Sequence, residues 1–354
     1  MASDDLIELD RIAGTRHPRD AVSLYGHDKE EAAFLDAYRT GRMPHAWLLA
    51  GPEGIGKASF AWRAARFVLT HPDPTSDSVQ SARSLDVDPL ATVSRTITAQ
   101  AHPDLFVLRR EMEPGKKTIP RDTRVELVRK ALSFFSATAG KGGWKIAIVD
   151  TLDDLNRSGA NALLKLIEEP PARSLFLMVS HMPGRLLPTI RSRCRLLPFR
   201  PLSQSDVARI LSELPEPPEA SLIEAAAARS EGSLTRAMTF VDPDLLAIVR
   251  HVEATLSRLP ELDRSEILAM AETLAPRDKT LEFETVLQTI EGWILADCHE
   301  HLSTGAHRLA PLTEVWEKTA RGARDTERFN LDRRPFLLTL FADLAEAVRL
   351  SHAQ

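Results

Sequence analysis

Four residues in one short stretch have the types and spacing that suit phosphate chemistry. Gly51, Gly54, Gly56 and Lys57 lie in GPEGIGKASF, residues 51–60. The full pattern for such a loop is G-x-x-x-x-G-K followed by Ser or Thr. Backbone N–H groups around the glycines cradle phosphates, the lysine neutralises their charge, and the hydroxyl helps hold Mg²⁺. Ala58 stands where that hydroxyl belongs, and a methyl group ligates no metal. Ser59 comes one residue later, about 100° around a helix, and is expected to point elsewhere. The competing structural reading is that the glycines only make a tight turn. The setting favours the phosphate loop: AWLLAG (46–51) reads as a buried strand before it, and KASFAWRAARFVL (57–69) as a helix after it.

A second group of residues fits the same chemistry. KIAIVD (145–150) reads as a buried strand that ends in Asp150, a carboxylate placed to help hold Mg²⁺. A catalytic Glu often follows such an Asp, but Thr151 follows here, and Asp153 and Asp154 are out of register. SLFLMVS (174–180) reads as another strand, ending in Ser180.

These residues need a scaffold, and the sequence predicts one. Further strands are expected at DLFVLRR (104–110) and CRLLPF (194–199), and helices at 122–136 and 157–168. EPGKK (113–117) reads as a turn. The alternation predicts an α/β domain with a parallel sheet covered by helices on both faces. Ligands sit at the carboxyl ends of the strands in such sheets, which is where Gly51, Asp150 and Ser180 fall. Residues 70–100 are polar and punctuated by prolines, and read as a loop-rich insertion of unassigned function. After Pro201 the strands stop. Three domains are expected: an α/β phosphate-loop domain over 1–201, a small helical domain over 202–242, and an all-α domain over 243–354.

Composition narrows the class. The chain has 354 residues, 43% hydrophobic and 27% charged, as in an ordinary soluble globular protein. Two scattered cysteines, Cys194 and Cys298, cannot form a four-cysteine zinc site, so no zinc and no other metal site is expected. The formal net charge of −5 argues against a free-standing DNA-binding domain. The acidic start, MASDDLIELD, lacks the features of a signal peptide. No apolar run approaches the roughly 20 residues of a membrane helix, so a cytoplasmic protein without membrane contact is expected.

Three motifs in order carry a family resemblance: PHAWLLAGPEGIGK (44–57), NALLKLIEEPP (161–171) and RSRC (191–194). Together they resemble the bacterial DNA polymerase III clamp loader, a family of the AAA+ class. HPDLFVL (102–108) and GGWKIAIVD (142–150) are similar to its delta-prime branch. The resemblance covers about residues 20–240. It implies an AAA+ domain, a helical lid and a C-terminal collar that joins the subunits of an open ring. It also implies partners: gamma/tau and delta subunits, and through the complex the sliding clamp and primer–template DNA.

In that family each nucleotide lies at a subunit interface, and an arginine of the Ser-Arg-Cys motif enters the neighbour's site. By that match Ser192, Arg193 and Cys194 form the motif here, and Arg193 is the trans arginine. A planar, always-charged fork suits a γ-phosphate. The competing reading is a surface arginine paired with a carboxylate. Ser180 matches a phosphate-sensing position. In EGSLTRAM (231–238) Thr235 stands where active members place an arginine, and Arg236 comes one residue late. Ala58, Thr151 and Thr235 therefore point to a subunit that is ATPase-silent, with weak or absent ATP binding and no required cofactor. An ATP-hydrolysing gamma/tau-like motor subunit is the alternative, and a small-molecule kinase a third reading that leaves RSRC unexplained. In NALLKLIEEPP the stripe Leu163, Leu164 and Ile167 is expected to be buried, with Lys165, Glu168 and Glu169 facing a neighbour or water. Arg191, Arg193 and Arg195 would share one face if their segment were extended. No residue is assigned to DNA contact.

Overall fold

The computed structural model describes residues 11–12, 14–110, 123, 125–136, 143–301, 306–328 and 331–352. Among these the apolar runs form strands β1 (Ala46–Ala50), β2 (Leu105–Arg109), β3 (Lys145–Asp150), β4 (Ser174–Ser180) and β5 (Arg195–Pro198). They pair in parallel in the order β2-β3-β4-β1-β5. The near-continuous apolar sequences of β1, β3 and β4 follow from this, because a sheet covered on both faces buries every side chain.

Alternate residues serve opposite faces. Leu49, Ile146, Ile148, Leu175 and Leu177 pack with Phe34 and Tyr38 of α1 (Asp28–Arg39) and with Phe60 and Phe67 of α2 (Lys57–Thr70). Leu48, Ala147, Val149, Phe176 and Met178 face the other way. They meet Val128 and Phe135 of α5 (Val125–Ser136) and Leu163 and Ile167 of α6 (Arg157–Glu168). Asn156 caps α6 by accepting from Gly159 N at 2.8 Å. The buried stripe of α6 is Leu163, Leu166 and Ile167, whereas Leu164 is half-buried. The expected stripe placed Leu164 where Leu166 belongs.

Residues 70–100 are mostly loop, as the sequence suggested, but they are not free of structure. They carry two short helices, α3 (Asp77–Ser81) and α4 (Thr92–Thr98). Val79, Leu85 and Ile97 from this segment are fully buried in the core beneath α2. The segment is tied down by Arg63 of α2, which is 4% exposed and pairs with Glu31 at 2.9 Å and Asp86 at 2.6 Å. The EPGKK turn lies outside the described residues.

Two compact units divide the chain, Met1–Met238 and Thr239–Gln354. In the first, α7 (Pro188–Arg191) precedes β5, and α8 (Gln204–Ser212), α9 (Ala220–Arg229) and the start of α10 (Leu234–Val241) follow it as the lid. The second unit holds α11 (Pro243–Leu256), α12 (Arg264–Leu274), α13 (Thr280–Glu300), α14 (Ala306–Arg328) and α15 (Arg333–His352). Its core is built from Val252, Phe283, Ile290, Leu337, Phe341 and Leu344. No helix among the described residues is long and apolar enough to cross a membrane.

Candidate functional site

The strand register brings the predicted phosphate-site residues together. Ala50 is level with Ser180 across the β1–β4 pair, and Gly51 N donates to Ser180 O at 3.3 Å. Asp150 ends the adjacent β3. Gly51 leads into the loop with its α-carbon against the Phe199 carbonyl, where a Cβ would come within 2.5 Å. Gly56, at φ 100°, caps α2 from the left-handed region.

Within that frame the loop carbonyls are bonded by the protein's own groups. Lys57 is 3% exposed. Its Nζ donates to Gly51 O at 2.7 Å and also to Pro52 O. Burial lowers its pKa to about 8, against the opposing pull of Glu53, Asp150 and Asp153. On the other side of the loop His27 is buried and its Nε2 lies 2.6 Å from Ile55 O, so that nitrogen carries the proton. The His27 ring is also 4.8 Å from that of Phe199. Nothing in the sequence marked His27, because its partner is a backbone carbonyl.

The lid closes over the same loop. Ser233 Oγ donates to Glu53 O at 2.9 Å, and Leu234 N donates to Gly54 O at 2.8 Å. A Cβ on Gly54 would meet Ser233 Oγ and Thr235 Oγ1, each at 2.5 Å. Thr235, at the position where the family resemblance leads one to expect an arginine, thus lies directly on the glycine loop. Arg236 turns away and pairs with Glu231. On the far side of the lid Tyr25 donates to Glu213 of the α8 end, with Arg209 stacked 5.0 Å from the Tyr25 ring.

Ser180 is fully buried, and its hydroxyl donates to Asp153 Oδ1 at 3.0 Å. Asp153 Oδ2 also accepts from His181 N at 2.6 Å. Asp153 therefore caps the end of β4. Asp154 pairs with Arg110 at 3.0 Å. Burial, and then the Lys57 charge, hold the His181 pKa down to about 4.

RSRC lies elsewhere on this unit. Arg191 ends α7 and Arg195 starts β5, with a turn between them. The segment is not extended, so the three arginines do not share one face as alternation would require. Arg193 is 38% exposed, and its Nη2 is 2.9 Å from Glu168 Oε1. Its Nη1 donates to Thr189 O at 3.0 Å. Cys194 turns inward, its Sγ donating to Ile190 O at 3.0 Å, and burial pushes its pKa up to about 12. Such a thiol is inert at neutral pH. Of the motif, Ser192 and Arg193 are exposed and Cys194 is half-buried.

A glycine loop after an inner strand of a parallel sheet ordered 2-3-4-1-5, with a helical lid folded onto it, defines the AAA+ class of P-loop proteins. Residues 26–203 match the family profile described as "DNA polymerase III, delta subunit", and the chain belongs to that family. It is 35% identical over 193 residues to the DNA polymerase III subunit delta' of Pseudomonas aeruginosa, with 54% of each chain covered. It is 32% identical over 243 residues to the DNA polymerase III subunit delta' of Yersinia pestis, covering 66% of this chain and 65% of that one. The DNA polymerase III subunit gamma/tau of Mycobacterium tuberculosis is 29% identical over 329 residues, covering 89% of this chain and 53% of its own. The chain spans about half to two thirds of the length of these relatives.

Proposed function

We propose that this protein is a delta-prime-like subunit of a bacterial DNA polymerase III clamp loader, and helps load the sliding clamp onto primed DNA. It works in the cytoplasm as a ring member beside gamma/tau and delta subunits. Its second unit serves as the collar. It is an accessory to a polymerase holoenzyme and does not turn over ATP by itself. Its Arg193 completes the ATP site of a neighbouring motor subunit.

One observation carries the silent reading: the loop lysine and the loop carbonyls are engaged by the protein's own groups. Lys57 is bonded to the loop carbonyls of Gly51 and Pro52, and the lid turn at Ser233–Thr235 lies on Gly54. The residues present do not fit a magnesium-bound triphosphate. Ala58 offers no oxygen, Thr151 no carboxylate, and the Ser180 hydroxyl already serves Asp153. Arg193 in contrast is at the surface, where a neighbour could meet it.

The gamma/tau-like motor is the second reading, supported by the long alignment with the Mycobacterium tuberculosis protein. Calorimetric titration of the isolated protein with ATP separates the two, run with and without Mg²⁺. No heat of binding is expected. Tight, Mg²⁺-dependent binding would put the motor reading first. In the reconstituted complex, Arg193→Ala is expected to lower ATP turnover about tenfold or more, because a trans arginine contributes strongly to the transition state. An unchanged rate would remove Arg193 from the mechanism.

A further inference from the structure

We propose that Glu168 is a positioning residue for Arg193, holding its guanidinium ready for the neighbour's phosphate. The proposal rests on the reading of Arg193 as a trans arginine. Glu168 is the last residue of α6, and α7 with the following turn brings Arg193 beside it. The Nη2–Oε1 distance is 2.9 Å. On the other side of the guanidinium, Nη1 donates to Thr189 O at 3.0 Å and to Ser192 Oγ at 3.4 Å. The head is thus held from two helix ends of its own chain. Among the described residues its Nε and one Nη2 hydrogen carry no hydrogen bond, which leaves donors for a phosphate.

Two physical points favour positioning over sequestration. A long arginine side chain in water samples many rotamers, and an anchored one loses that freedom before the partner arrives. The pair is also open, with Arg193 38% and Glu168 42% exposed. Exposed ion pairs are weak. A polyphosphate carries more charge than one carboxylate, so Glu168 orients the arginine without withholding it. Exposure also sets a structural role apart, because loss of such a pair should hardly change folding.

The test uses the full chain assembled with its motor subunits, clamp and primed DNA. Glu168→Ala is expected to lower kcat for ATP about threefold, in keeping with the loss of a surface pair, with KM unchanged. Glu168→Asp should recover at least half of the loss. Thermal unfolding of the isolated variant should match the parent. In an Arg193→Ala background the same substitution should have no further effect, since the two residues act as one unit. If Arg193→Ala slows the complex and Glu168→Ala leaves kcat unchanged or raises it, the positioning role is wrong. An equal threefold loss in the Arg193→Ala background would assign Glu168 to direct contact with the neighbour instead. No effect of Arg193→Ala by itself would remove the trans-arginine reading, and this proposal with it.

Discussion

Lys57 is the residue whose state departs most from its sequence reading. In a working phosphate loop it would face the ligand; here it is buried on backbone carbonyls with its pKa lowered to about 8 from an ordinary 10.5. Between those values the unfolded chain binds a proton that the folded chain does not. Stability from this group therefore rises as pH increases from about 8 to 10.5, and is lost as pH falls back through 8. The effect is on the order of 3 kcal/mol. Urea denaturation at pH 7 and pH 10 should reveal this rise in the parent protein and its absence in Lys57→Met. Parallel pH dependence in the two proteins would mean that the ammonium stays hydrated. Arg193 belongs to the same scale. The carboxylate-partner reading and the trans-arginine reading are rivals in the sequence, and the structure provides the partner, Glu168, at the surface. The ion pair and the trans role are thus compatible, because an exposed pair can yield to a stronger anion.

The lid turn and the glycine loop fit as paired elements. Gly54 has φ +74°, and its Cα faces Thr235 N so closely that a Cβ would lie 2.8 Å from it. A backbone atom cannot rotate away. Gly54→Ala should then destabilise the first unit by about 2–4 kcal/mol, from the left-handed conformation and overpacking together. Urea denaturation would read it, and a loss below about 0.5 kcal/mol would indicate a lid that lifts freely. The 70–100 segment is held in a comparable way. Arg63 joins Glu31 of α1 to Asp86 of the segment, and Glu31 also accepts from Leu85 N at 2.9 Å. Arg63→Ala should cost about 3 kcal/mol by leaving a poorly exposed carboxylate without its cation. Tolerance of that change would show that Val79, Leu85 and Ile97 anchor the segment without it.

For the whole molecule, each unit has its own apolar core. Truncation after Asp242 should accordingly leave a cooperatively unfolding protein with the parallel sheet intact. It should fail to enter the reconstituted complex if the second unit is the collar. Circular dichroism and size-exclusion chromatography would test the two halves of that expectation. A truncated chain that still assembles would move the assembly surface to the first unit. The sequence expectation drew boundaries at 201 and 242, whereas compactness groups α8, α9 and the start of α10 with the sheet. The hydrogen bonds from Ser233 and Leu234 to the glycine loop give the physical reason.

The sequence by itself determined the strands, their parallel pairing and the residues at their carboxyl ends. Each of these depends on short-range pattern: apolar runs such as KIAIVD, a glycine loop between strand and helix, and the apolar spacing of α6. It also determined what is missing from the loop, since Ala58, Thr151 and Thr235 are visible as residue types. It failed at α3 and α4, which have only 5 and 7 residues, too few for a helical period to stand out among prolines and serines. It also left open whether the RSRC segment is extended, because alternation cannot reveal a turn. Only the tertiary structure decided which groups bond the loop carbonyls. Lys57 is bonded to carbonyls, which carry no residue-type signal. His27 and Ser233 reach the loop across 28 and 180 residues of chain, and Thr235 reaches it beside Ser233. The burial that shifts Lys57 and the carboxylate beside Arg193 likewise come from through-space neighbours, which no local pattern encodes.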